Sequence, residues 1–64
     1  MNTKFVDKNG KTIYDGQIVT HTRPNGTTIG GEVYLHDENT LVMKLPKGYA
    51  VWTYDAEPCY DLEV

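Results

Sequence analysis

Reversal signals break this chain into short pieces: Asn9-Gly10, Asp15-Gly16, Asn25-Gly26, Asp37-Glu38-Asn39 and Pro46-Lys47-Gly48. Asn-Gly and Asp-Gly favour tight turns because glycine, and to a lesser degree Asn, tolerates positive φ. The segments left between them are too brief for stable helices. Several short strands at such spacing are the mark of a small sandwich or barrel. Composition agrees, since Val, Ile, Thr and the aromatics make up 24 of 64 residues while alanine occurs only at Ala50 and Ala56. That balance favours strands over helices.

Alternation then assigns faces. In residues 29–36, Ile29, Gly31, Val33 and Leu35 share one face and Gly30, Glu32, Tyr34 and His36 the other. Leu41, Met43 and Leu45 repeat the pattern against Val42 and Lys44, and the polar stretch 36–40 between the two predicts a hairpin. Residues 17–22 read as a strand entered through Asp15-Gly16. Phe5-Val6 and Ile13-Tyr14 flank Asn9-Gly10 as a small hairpin or an extended lead-in. In residues 49–54 both faces are apolar: Val51 inward leaves Trp52 and Tyr54 outward, and Trp52 inward leaves Val51 outward. The tail alternates Tyr60, Leu62 and Val64 against Cys59, Asp61 and Glu63, after a tight helical turn expected at Asp55-Ala56-Glu57.

Five main strands plus an N-terminal pair, in so short a chain, predict a single SH3-like β-barrel domain over residues 1–64. A sandwich needs two covered sheets and usually more chain, whereas a small barrel hides most of its edges. An OB-like barrel is the alternative. Gly30-Gly31 inside a strand fits a bend or bulge where the sheet turns a corner.

The segment Asp7-Lys8-Asn9-Gly10-Lys11-Thr12-Ile13-Tyr14-Asp15-Gly16-Gln17-Ile18-Val19 resembles the DKNGKxIYEGDIV signature of YopX-type proteins of phages and prophages of Gram-positive bacteria. The match covers 13 residues and departs at Asp15 (Glu in the pattern) and Gln17 (Asp in the pattern). The resemblance implies a small β-rich accessory protein in a phage or prophage setting and names no reaction. Read physically, the motif is a turn, an inward Ile-Tyr pair and a second turn into an apolar strand. It carries fold rather than chemistry.

Other function classes lose ground on simple counts. One cysteine makes no internal disulfide, and one Cys with two His falls short of a structural zinc site. Cys59 with His21 or His36 is the single Cys/His combination. Its neighbours Asp55, Glu57 and Asp61 would raise a thiol pKa rather than activate it. His36, Asp37 and Glu38 read as a solvated turn more than a metal site. The carboxylates of Asp55, Glu57, Asp61 and Glu63 read as a solvated face, because a barrel this small offers no deep cleft to tune them. Gly30-Gly31 lacks the lysine and helix of a phosphate loop. The expectation is a non-enzyme without metal or cofactor. With no apolar run of membrane length and no apolar signal-like N-terminus, it is expected in the cytoplasm of a bacterial host.

A net charge of -3 opposes bulk binding to nucleic acid or anionic membrane. The charge is uneven: residues 1–31 sum to +2 and residues 32–64 to -5. Three functions remain in view. The first is a module that binds a protein partner, basic by charge complementarity, through Tyr34, Trp52, Tyr54, Asp55 and Glu57. The second is a small nucleic-acid-binding barrel using Lys8, Lys11 and Arg23 on phosphates. The third is a self-associating subunit, closed into a homodimer by an exposed strand edge or the aromatic patch.

Overall fold

Seven strands occupy the segments between the turns in the computed structural model, which describes residues 2–64. They are β1 (Asn2–Val6), β2 (Thr12–Tyr14), β3 (Ile18–Thr22), β4 (Thr28–Asp37), β5 (Thr40–Lys44), β6 (Tyr49–Thr53) and β7 (Leu62–Glu63). β1 and β2 form a two-stranded hairpin. The other five make one curled antiparallel sheet in the order β6-β5-β4-β3-β7. A four-stranded meander, β3 to β6, with a fifth strand, β7, returning beside its first is the order of an SH3-like barrel, and the expected five strands plus an N-terminal pair are all present. No helix among the described residues is long and apolar enough to cross a membrane.

Long β4 organises the sheet. Its register runs Ile18↔Glu32 to Thr22↔Thr28 with β3 and Val33↔Met43 to Asp37↔Thr40 with β5. Period-two alternation sends Val19, Val33, Leu41 and Met43 inward, where they join Phe5, Ile13, Cys59 and Leu62 in the core. The barrel is thus filled by side chains, two of them from the N-terminal hairpin. The glycine pair plays a different part from the one expected. Pairing stays regular through Gly30 and Gly31, and the irregularity falls between Leu35 and Asp37. Gly31 matters sterically, because a Cβ there would lie 3.1 Å from both Cγ and Sδ of Met43.

The tail departs from simple alternation. Leu62 N–H donates to the Cys59 carbonyl at 3.0 Å, and this turn rotates both side chains inward while Tyr60 is left exposed. No helical turn forms at residues 55–57. Ala56 takes a left-handed φ of 67°, and the Asp55 carboxylate accepts the Glu57 N–H at 3.0 Å. A β-carbon is disfavoured in that region, so Ala56 holds local strain.

The polar positions of residues 7–19 are turn anchors. Asp15 Oδ1 accepts the Leu35 N–H at 2.9 Å, and Gln17 Oε1 accepts the Tyr14 N–H at 2.9 Å. Gly16, at φ +87°, lets its N–H reach the Val33 carbonyl at 2.7 Å. Asp7 does the most. Its side chain has no exposed surface; Oδ1 accepts the N–H groups of Asn9 (2.9 Å) and Lys11 (2.8 Å), and Oδ2 accepts that of Val64 (2.9 Å). One carboxylate therefore closes a turn and ties the N-terminal hairpin to the end of the chain.

Burial pushes the Asp7 pKa up, but the three N–H donors and the Lys11 charge outweigh it and hold the carboxyl below its ordinary range. A depressed folded-state pKa gives stability that is complete above the unfolded value of about 4 and lost as pH falls through the folded value. Asp7→Asn keeps the shape but loses a charged acceptor. It should lower urea-unfolding stability at pH 7 by about 2 kcal/mol, and the gap from the parent should narrow as pH drops below about 4. An equal gap at pH 7 and at acid pH would contradict this role.

Candidate functional site

Backbone pairing leaves a seam between β6 and β7, the two ends of the curled sheet, and side chains bridge it. The Trp52 Nε1–H donates to Asp61, at 2.9 Å to Oδ1 and 3.2 Å to Oδ2. His21 Nε2, on β3, lies 3.2 Å from Asp61 Oδ2. The His21 and Trp52 rings meet edge to face at 5.2 Å between centroids. Nδ1 of the buried His21 has no hydrogen-bond partner among the described groups. Trp52 is half-buried against the core and Val51 is 57 % exposed, so the second of the two expected arrangements of β6 is the one adopted.

A concavity of about 260 Å³ opens over this seam, lined by Phe5, Trp52 and Cys59 with Thr53, Asp55, Glu57, Pro58, Tyr60 and Asp61 around them. Aromatic faces and carboxylates thus share one groove. Two neighbours register the negative field. Burial, then the charges of Asp61, Asp55 and Asp7, push the Cys59 thiol up to about 11. The Glu57 charge and its hydrogen bond from the Tyr60 hydroxyl (3.2 Å), with smaller help from burial and Asp55, raise the Tyr60 phenol. Tyr54 sits beside the groove, its ring edge to face with Phe5 at 5.8 Å and under the Lys4 ammonium at 4.6 Å.

The residues expected to form one partner surface divide between two. Trp52, Asp55 and Glu57 line the seam groove, with Tyr54 packed on its Phe5. Tyr34 points the other way, because it pairs with Val42 and through it with Val51 on the outer face. There it lines a shallow groove of about 420 Å³ with His36, Thr40, Val42, Tyr49 and Val51. The expected neighbourhood of Tyr34 and Trp52 is therefore corrected by strand parity: residues 51 and 52 face opposite sides.

The cations are spread as well. Lys8 Nζ is 3.4 Å from a Glu63 carboxylate oxygen, and Lys11 is exposed beyond the Asp7 turn. Arg23 lines a third concavity, about 360 Å³, with Lys47, His21 and Leu45 among its walls. Among the described residues no three His, Cys, Asp or Glu side chains gather to hold a metal ion, His36, Asp37 and Glu38 included. Asp37 instead accepts the Asn39 N–H at 2.9 Å, which with the Thr40 hydroxyl lowers its pKa.

Sequence reasoning placed Asp61 on a solvated face and missed its part in the seam. Nothing local marks it, since its partners come from β6 and β3. Phe5 was seen as a strand residue only, and its place in the groove depends on where the hairpin docks. Comparisons with protein-family models, curated proteins and solved structures found no match. Fold and site together define a small SH3-like barrel with an aromatic-acidic seam groove.

A thiol at about 11 carries roughly two orders of magnitude less thiolate at neutral pH than a free cysteine. Iodoacetamide at pH 8 should therefore alkylate Cys59 at least 100-fold more slowly than a free cysteine, roughly the thiolate deficit, and at the ordinary rate in urea. Alkylation of the folded protein at the free-thiol rate would contradict the described burial and charge.

Proposed function

We propose that this domain is a non-enzymatic interaction module whose seam groove takes a basic segment of a protein partner. The observation that carries the reading is the groove itself: Trp52 and the exposed Tyr60 offer aromatic surface over buried Phe5, while Asp55 and Glu57, neither ion-paired among the described residues, supply negative charge. Rigid aromatics give contact area at low entropy cost, and rim charges steer a partner of opposite sign. The elevated Cys59 pKa speaks against thiol chemistry at this place. The resemblance of residues 7–19 to YopX-type proteins supports a phage or prophage setting inside a bacterial host.

A second reading rests on Arg23 and Lys47, which share a concavity and have no carboxylate within ion-pair distance among the described residues. That arrangement supports phosphate contact and thus nucleic acid. The first reading is preferred because Lys8 is committed to Glu63 and the net charge is -3.

Trp52 is the single tryptophan, so its fluorescence reports on the groove directly. Titration with a lysine-rich decapeptide should shift Trp52 emission, and an acidic peptide of equal length should not. The Asp55→Asn, Glu57→Gln double variant should weaken binding about five- to tenfold, as two exposed charge pairs imply. Tight binding of oligonucleotides with a steep salt slope, and no response to the basic peptide, would reverse the order of the two readings.

A further inference from the structure

The two ends of the five-stranded sheet are treated differently. The edge at β7 is covered by the chain itself: the Lys8 N–H donates to the Leu62 carbonyl at 3.0 Å, and the Cys59 N–H donates to the Val6 carbonyl at 2.8 Å. β6 ends the sheet on the other side, and no described strand pairs with its outer edge.

Two hydrogen bonds fix which backbone groups that edge presents. The Leu45 N–H donates to the Gly48 carbonyl at 3.0 Å, and the Tyr54 N–H to the Asn39 carbonyl at 2.9 Å. Between them the β5–β6 register is unbroken from Lys44↔Tyr49 to Thr40↔Thr53. In an antiparallel pair hydrogen-bonded positions alternate, so Ala50 and Trp52 bond to β5. Tyr49, Val51 and Thr53 therefore turn their N–H and C=O groups away from the sheet. The strand Tyr49-Ala50-Val51-Trp52-Thr53 carries no charge, no proline and no bulge, the usual protections of an open edge.

We infer that this edge joins a second copy of the chain, β6 against β6 antiparallel about a two-fold axis at Val51. That register pairs Tyr49 with Thr53 of the second copy and Val51 with its own counterpart, each through the outward backbone groups. Charge selects a second copy over an unrelated strand. The ladder itself stops at Tyr49, because Lys47 lies in the β5–β6 turn before Gly48 at φ +92°, but the antiparallel direction brings that turn of each copy to the end of β6 of the other, where Asp55 follows, one cation and one anion at each end. Opposite charges at both ends favour this mate, and the contact is isologous, so it closes at two copies. Outer-face Tyr49 and Val51, 61 % and 57 % exposed, lie beside the axis and would lose apolar surface to the mate. An edge contact of five residues a side is small, which makes the dimer transient and dependent on concentration.

Sedimentation equilibrium from about 10 μM to 1 mM, a range spanning weak association, tests this on the intact chain. The parent should pass from monomer to dimer, with no higher species. Val51 is exposed and its N–H is unpaired, so Val51→Lys and Val51→Pro should keep the parent's circular dichroism and stay monomeric. Lys47→Asp alone and Asp55→Lys alone should each weaken the dimer at least threefold, and the double exchange should recover most of that loss. A parent monomeric throughout the range overturns the inference, as do dimers indifferent to Val51→Lys. A dimer lost at Val51 but unmoved by either charge reversal overturns the stated register. A monomeric parent that still binds the basic decapeptide leaves the groove reading standing and removes this one.

Discussion

The buried carboxylate of Asp7 is the contact on which the arrangement of this small domain depends. It accepts N–H groups from Asn9, Lys11 and Val64, and the last lies 57 positions away in sequence. A charged group without exposed surface is tolerable only when its lone pairs are occupied. Here, satisfying them ties the Asp7 turn to Val64. The N-terminal hairpin is then held against the sheet, Phe5 and Ile13 enter the core, and residues 6–8 cover the edge at β7.

Closure by that route is one-sided. The hairpin seals the edge at β7, while the opposite end at β6 reaches across the seam through side chains, chiefly Trp52 with its hydrogen bonds to Asp61 and its edge-to-face contact with His21. The surfaces on which the preferred reading rests lie on that side. The seam groove sits between the end of β6 and residues 55–61, the outward backbone groups of Tyr49, Val51 and Thr53 form the open edge, and beyond that edge stand the carboxylates of Asp55 and Glu57, without an ion pair among the described residues. The interior is filled by side chains, so the proposed binding surfaces lie on the outside.

Much of the scaffold was legible because the signals are local. Asn9-Gly10 and Asp15-Gly16 mark turns by their own conformational preferences, and Val33, Leu35, Leu41 and Met43 mark their face by period two. The failures share a cause: each depended on a partner far along the chain. Asp7 looks like an ordinary turn-starting aspartate until Val64 arrives. Residues 49–53 alternate between two apolar faces, so periodicity offers no choice, and Asp61 and His21 decide that Trp52 turns inward. In the tail, the Cys59–Leu62 turn breaks a pattern that read as continuous. Tyr34 and Trp52 seemed to form one surface because their strands are close, but parity places them on opposite sides of the sheet.

One sheet edge is sealed by the chain itself and the other is left open. Residue-resolved amide hydrogen exchange tests it most directly. In dilute solution the amides of Ala50, Trp52 and Tyr54 should be protected along with those of Lys8 and Cys59, while Tyr49, Val51 and Thr53 exchange quickly. Raising the protein concentration should slow the latter three selectively. Equal protection along all of β6 at high dilution would mean that the edge is already covered within one chain, and would contradict the account.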